Sequence, residues 1–305
     1  MTLLAILISL ALERLLPAVD EWRSLVWFRH YQGWLRGRLA AHEKWQGIPA
    51  LLLIVLTPVV GVALAQYLLH DILVVFSFAF SIVVLTYCLG PKDEHRLVHR
   101  HLDAIESGDS ATAQHTLEEL LPDGCEPASD ETGRIRQVID TLLVQSHERV
   151  LGVLFWFMVL GPMGAVLYHL TVELMRMTDS EPADATFHAA LDRLHQVLAW
   201  IPAHLAALSY AVMGSFVHAL RAWQHPPQAT PIETGQPDTT SEEGPGDGRP
   251  PSHQLLLRIG LASLQFDTKP PQDNAAIREA LGLCGRSLIA WVTILALMTL
   301  AGWAS

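Results

Sequence analysis

The chain has 305 residues, half of them hydrophobic and 17% charged, with a formal net charge of −11 and a mean hydropathy of +0.29. That balance is too apolar for a soluble domain of this length, and the acidic excess excludes a nucleic-acid binder, whose phosphate contacts need a basic face. Cys88, Cys125 and Cys284 share no motif spacing, which argues against a disulfide framework or a zinc site built from them.

Met1–Leu12 is apolar but Glu13 and Arg14 follow at once. It reads as a half-span, a re-entrant helix, or a span lengthened by burying those two charges as a pair. The basic n-region and small-residue cleavage site of a removed signal peptide are not seen in it. Residues 18–47 mix Trp22, Trp27, Trp34 and Trp45 with Arg23, Arg29, Arg36, Arg38 and Lys44, the composition of a helix lying in the membrane interface. Its positive charges place it on the cytoplasmic side. Ile48–Leu69 and Ile72–Leu89 carry no charge and are separated by His70-Asp71, which predicts a transmembrane hairpin over 48–89.

Residues 90–148 turn polar and predict a cytoplasmic cap of three short helices. Pro91-Lys-Asp-Glu opens the first, and Ser107-Gly-Asp-Ser ends it and caps the second. The third, about Glu131–Gln145, carries Ile135, Val138, Ile139, Leu142 and Leu143 at core spacing. His95 and His99 share a face of the first at i, i+4, but no third ligand is fixed, so they read as solvated histidines. No metal site and no cofactor is assigned.

The chain is organised around residues 146–175. From Val150 to Leu167 there is no ionisable side chain, and Gly161, Pro162 and Gly164 sit in the middle. This predicts a kinked spanning helix buried among others, with His147, Glu148 and Arg149 at one end and Tyr168, His169 and Glu173 at the other. Arg176–Asp184 reads as a polar loop on the far side. Thr186–Trp223 is apolar but interrupted by His195, His204 and His218, and Pro202 is expected to split it after Trp200-Ile201, closing a unit over 149–223. Residues 224–252 are rich in Pro, Gly, Ser and acid and predict a disordered linker. Residues 253–305 resume helical patterning and end in a last uncharged run, Ser287–Trp303.

The expected fold is an all-α integral membrane protein: a bundle of about four to six spanning or half-spanning helices with a small cytoplasmic helical cap and one disordered loop. Polar groups at membrane depth face the bundle interior by default. The candidate functional cluster is therefore Glu13, Arg14, His147, Glu148, Arg149, Tyr168, His169, Trp200 and His204. Glu13–Arg14 and Glu148–Arg149 are expected to neutralise one another. Walker, dinucleotide-binding, nucleophile-elbow and H-E-x-x-H patterns are all absent, and none of the three lysines, Lys44, Lys92 and Lys269, follows a glycine.

Several blocks, in order, resemble the AmpE family: Met1-Thr-Leu-Leu, Leu12-Glu-Arg-Leu-Leu, Glu148-Arg-Val-Leu-Gly-Val-Leu-Phe-Trp-Phe-Met-Val-Leu-Gly-Pro, Val197-Leu-Ala-Trp-Ile-Pro-Ala-His-Leu and Ala280-Leu-Gly-Leu-Cys-Gly-Arg-Ser-Leu-Ile-Ala-Trp. The resemblance runs over nearly the whole chain apart from 224–252. It implies a multi-pass protein of the bacterial inner membrane, most loops cytoplasmic, that takes part in regulating inducible β-lactamase. The implied partners are the lipid bilayer, a protein of the β-lactam response and a small metabolite, with no nucleic acid.

AmpE is in turn similar to the CobD/CbiB membrane synthases, which attach an aminopropanol arm to cobyric acid. Their E-N-x-x-D-G pattern, aligned on Gly152, reads His147, Glu148 and Leu151 here at its Glu, Asn and Asp positions. Their later N-x-x-D falls on Val172 and Met175, and their G-D-P and H-P-V motifs have no counterpart in Pro17–Tyr31. The resemblance thus implies a sensor or regulator of β-lactamase induction and peptidoglycan recycling on a scaffold that has lost the synthase chemistry. The alternatives are a membrane enzyme on that scaffold acting on a small polar metabolite, and a muropeptide-like solute transporter. Transporters of that kind usually carry internal repeats, and none is found.

Overall fold

The computed structural model describes residues 2–15, 26–39, 47–72, 74–89, 94–122, 125–179, 185–224, 249–266, 271 and 273–300. Among them every regular element is helical. The linker predicted over 224–252 falls almost wholly outside the described residues.

The first half supplies α1 (Thr2–Leu15), α2 (Val26–Leu39), α3 (Ile48–Ile72) and α4 (Val74–Cys88). Along α3 Ile48, Leu52, Leu56, Val60, Leu64 and Leu68 form an exposed apolar stripe, one every four residues, while Leu51, Ile54, Val55 and Val59 are buried. A helix whose outward stripe is as apolar as its inward one is solvated by lipid rather than water. α1 packs on α4, with the Ser9 hydroxyl donating to the Ile82 carbonyl at 3.3 Å. On α2 the Trp27 indole donates to the Tyr87 hydroxyl at 2.6 Å, Phe28 is buried, and Arg38 stands 5.0 Å over Trp34.

The polar segment folds into α5 (Glu94–Ser107), α6 (Ser110–Leu120) and α7 (Glu131–Ser146). Asp109 and Asp130 cap α6 and α7 by accepting from the backbone N–H of Thr112 and Gly133. His101 is buried, with Nδ1 2.9 Å from the Ala113 carbonyl and 3.0 Å from the Thr116 hydroxyl.

One π-turn, His147–Leu151, joins α7 to α8 (Gly152–Leu160), so the helix runs on from the cap into its most apolar stretch. The single kinked span expected over Val150–Leu167 does not form. The helix ends at Leu160, and Gly161 takes φ +68° and ψ −155°, a conformation closed to side-chain-bearing residues. Pro162 then opens α9 (Pro162–Asp179) at the one helical position where a missing N–H costs nothing. α9 runs back along α8. A Cβ on Gly164 would lie 2.3 Å from the Trp156 carbonyl oxygen, and one on Gly152 would lie 2.4 Å from the Tyr168 ring. Residues 152 and 168 face each other, as do 156 and 164, which is the register of a hairpin folded at Gly161. Gly-Pro bends a helix when the turn continues and reverses it when glycine takes positive φ; here it reverses.

α10 (Ala185–Met213) corrects a second expectation, because Pro202 does not split it. Proline at 202 removes the bond that would reach the Leu198 carbonyl. That carbonyl instead accepts the indole N–H of Trp156 on α8 at 3.0 Å, so the helix continues with the group satisfied. The break comes later, at Gly214, where a Cβ would meet the Ser263 carbonyl at 2.7 Å. α11 (Phe216–Gln224) follows, and α12 (Pro251–Ser263) packs against both α10 and α11. α13 (Ala275–Leu300) closes the chain against α7 and α10, and its Arg278 pairs with Glu106 of the cap.

Two apolar cores result. One gathers α1, α3, α4, α8, α9 and the first half of α10; the other joins the cap to the second half of α10, α12 and α13. Trp156, Met158 and Leu288 border both. Among the described residues four stretches are long and apolar enough to cross a membrane, Ile48–Leu69, Glu131–Leu160, Ala185–Met213 and Ala275–Thr299, with Thr2–Leu12 and Val75–Cys88 as shorter apolar helices. This is an all-α membrane protein.

Candidate functional site

The site grows from the π-turn. A π-turn adds one residue to a helix and displaces the hydrogen-bond ladder. The backbone N–H of His147 bonds the Val144 carbonyl, and the Leu143 carbonyl instead accepts the Tyr210 hydroxyl of α10 at 2.9 Å. Pinned in this way, the turn presents His147 and Glu148, both buried, to the space between α9, α10 and α12.

Glu148 is the centre. Its Oε2 accepts from Arg176 Nη2 at 3.0 Å, and its Oε1 lies 2.8 Å from His253 Nε2 and 3.7 Å from His195 Nε2. Arg176 is also held by Glu173, Nη1 to Oε1 at 3.5 Å. Beside this group, His147 Nε2 is 3.3 Å from the Tyr168 hydroxyl. A carboxylate only 8% exposed is tolerable because an arginine and two imidazoles surround it.

The hairpin explains why these groups meet. Were 150–167 one span, Glu148 and Arg176 would lie at opposite ends of it. Because the chain reverses at Gly161, the two ends of the α8–α9 hairpin are the same end. The polar loop expected from Arg176 is accordingly helix as far as Asp179, and its arginine is part of the site.

Of the residues singled out from sequence, His147, Glu148 and Tyr168 come together. His169 is buried but turns to α4, its ring edge-on to Tyr87 at 6.2 Å. Trp200 and His204 lie elsewhere: Trp200 is 61% exposed on the outer face of α10, and His204 stacks between it and Trp223. The side chains of Glu13 and Arg14 fall outside the described residues. Glu148 pairs across the fold with Arg176, and the expected pairing with Glu13 and Arg14 lies outside the described side chains.

Arg176, His195 and His253 were missed as site residues. His195 left a signal as an ionisable group inside an apolar run, where the default is an inward-facing functional role. His253 left none, since it follows the linker at the start of an ordinary helix. Glu148, His195 and His253 each offer one ligand atom, and these atoms all lie within 4.8 Å of one another, a grouping able to hold a metal ion. They stand on three elements far apart in sequence, beyond the reach of any spacing pattern.

The family model described as regulatory signalling modulator protein AmpE matches residues 1–229. Protein AmpE of Shigella flexneri is 24% identical over 317 aligned positions, covering 99% of both chains. The cobalamin biosynthesis protein CobD of Chromobacterium violaceum is 29% identical over 253 residues, 74% of this chain and 75% of its own. That of Stutzerimonas stutzeri is 36% identical over 96 residues, 31% of this chain and 32% of its own. No solved structure matches.

Proposed function

The chain belongs to the AmpE family, and we propose that it is an inner-membrane regulator of β-lactamase induction and peptidoglycan-recycling signalling, with its input read at Glu148. One observation carries the reading. The chain has a buried polar site at the hairpin end, while His147 and the 2% exposed Leu151 stand where the synthase pattern has its two acids. A site that holds a polar group without those two acids is suited to binding and reporting. A regulator needs two states, and a buried carboxylate shared by α9, α10 and α12 through its π-turn couples their positions to whatever it binds.

The expected sidedness, with the 90–148 cap cytoplasmic, belongs to the same proposal. It rests on the clustering of Arg and Lys in the segments outside the apolar helices.

The test is induction itself. In a strain carrying an inducible β-lactamase and lacking its own copy of this chain, wild type should restore the ratio of induced to uninduced nitrocefin hydrolysis. Glu148→Gln at equal membrane abundance should not. Full restoration by Glu148→Gln refutes the assigned input site, and normal induction without any copy refutes the function. The enzyme alternative keeps one argument, similarity to CobD over most of the chain. Growth of a cobinamide-synthase-deficient strain on this chain would decide in its favour.

A further inference from the structure

We propose that Glu148, His195 and His253 form a three-ligand site for a divalent transition metal, with zinc the best match. Two imidazoles and a carboxylate are the donor set that zinc takes when it keeps a fourth position open for water or a ligand. Bonds of about 2.0–2.1 Å at tetrahedral angles put ligand atoms roughly 3.3 Å apart. The separations from Glu148 Oε1, 2.8 Å to one imidazole nitrogen and 3.7 Å to the other, bracket that edge. The ligand atoms of all three residues lie within 4.8 Å of one another, so the third edge closes the triangle.

His195 makes the case independently of the geometry. It is 1% exposed, and neither of its ring nitrogens has a hydrogen-bond partner among the described residues. A buried imidazole normally satisfies at least one nitrogen, because losing water without replacement is costly. Its Nε2 is too far from Glu148 for a hydrogen bond, yet at the distance of two ligands sharing one ion. The His195 and His253 rings stand 5.8 Å apart at 78°, so neither covers the other's nitrogen.

The surroundings have the character of an outer shell. Arg176 holds Oε2 of Glu148 and thereby leaves Oε1 turned to the histidines, and Glu173 holds Arg176 in turn. Such partners orient a ligating carboxylate. His253 lies in the first turn of α12 and presents its Nε2 to Glu148 Oε1. Its side chain is 18% exposed and that of Arg176 29%, which leaves the open coordination position a route to solvent.

The proposal rests on these side chains and not on the pathway assigned to the site, and the two fail separately. The full chain, purified in detergent and stripped with a chelator, is dialysed against zinc and its metal content measured, with cobalt(II) as a spectroscopic substitute. One equivalent of zinc per chain is expected, with the visible absorption of tetrahedral cobalt. His195→Gln and His253→Gln should each weaken zinc binding roughly tenfold or more, and Arg176→Gln should weaken it less. His204→Gln and His99→Gln should bind as wild type does. His253→Cys, which keeps a ligand, should retain the metal and add a thiolate-to-cobalt band; it decides the matter if the glutamine variants fail to fold. Absence of stoichiometric metal in wild type, or retention of wild-type affinity in both His195→Gln and His253→Gln, overturns the site. A metal-free chain that still restores induction removes the metal alone, and a zinc-loaded chain without effect on induction removes the function alone.

Discussion

Replacing Gly161 by alanine gives opposite outcomes for the two ways of reading residues 150–167. In the hairpin, Gly161 has φ +68° and ψ −155°, and space is not what limits it, since the nearest atoms to an added Cβ are those of the Gln66 amide at 3.5 Å. The cost is conformational, about 1–3 kcal/mol for a side chain forced into a region reserved for glycine. In a continuous kinked span the same substitution would replace the poorest non-proline helix former by the best and stabilise by about 0.8–1 kcal/mol.

Gly164→Ala adds a second arm. Its Cβ would stand 2.3 Å from the Trp156 carbonyl oxygen, a backbone atom that cannot rotate away, so overpacking of about 1–3 kcal/mol is expected. In a straight helix those residues would be two turns apart and the change favourable. Gly282→Ala is the internal standard, because Gly282 is exposed within α13 with nothing near its Cβ and should gain stability in either case. Thermal unfolding in detergent, followed by the fluorescence of the nine tryptophans, reads all three. Gly161→Ala and Gly164→Ala should lower the midpoint while Gly282→Ala raises it. A higher midpoint for Gly161→Ala refutes the reversal and with it the assembly of the site.

Trp156→Phe should cost about 1–3 kcal/mol by stranding the Leu198 carbonyl, and Pro202→Ala should recover much of it by supplying the missing N–H; additive effects in the double variant would sink the account. Glu148→Gln and Arg176→Gln should show a coupling of about 0.5–3 kcal/mol in the same unfolding assay, and zero coupling would mean the pair does not form. In the cap, burial outweighs the bond to the Ala113 carbonyl and holds the His101 imidazole below its ordinary range. The folded value being depressed, its contribution is complete above about pH 6.5 and is lost as pH falls below that. Wild type should therefore lose more of its urea midpoint between pH 7 and pH 5.5 than His101→Gln does, and equal losses would refute the assignment.

Much of the fold was legible because it is local. The uncharged run of α3, the cap of α6 within Ser107-Gly-Asp-Ser and the core spacing of Ile135, Val138, Ile139, Leu142 and Leu143 are properties of single helices; Asp109 caps α6 and the five apolar residues of α7 are buried. What failed to show were two choices made by distant groups. Pro202 reads as a break, and would be one, had Trp156 not been placed 42 positions away to take the freed carbonyl. Gly161-Pro162 reads as a kink, and the reversal found instead is selected by Gly152 and Gly164, which let α9 lie against α8 at backbone contact. The glycines were visible, but their partners, the Tyr168 ring and the Trp156 carbonyl, belong to the folded hairpin.

The candidate site follows the same logic, and that logic bears on function. Polar residues were recognised at both ends of one apolar run, and a crossing helix would have kept them a membrane's thickness apart. Folding the run on Gly161 brings Glu148, thirteen residues before the turn, against Arg176, fifteen after it. The arrangement gives one polar site at one end of the hairpin. A transporter must expose its site alternately to both faces, which a site at the open end of a closed hairpin does not provide. A regulator needs only that the occupied and vacant site favour different packings of the helices that share it. Here α9, α10 and α12 each contribute a side chain to Glu148, and α10 also fixes through Tyr210 the π-turn that carries it, so the position of each depends on the state of one carboxylate.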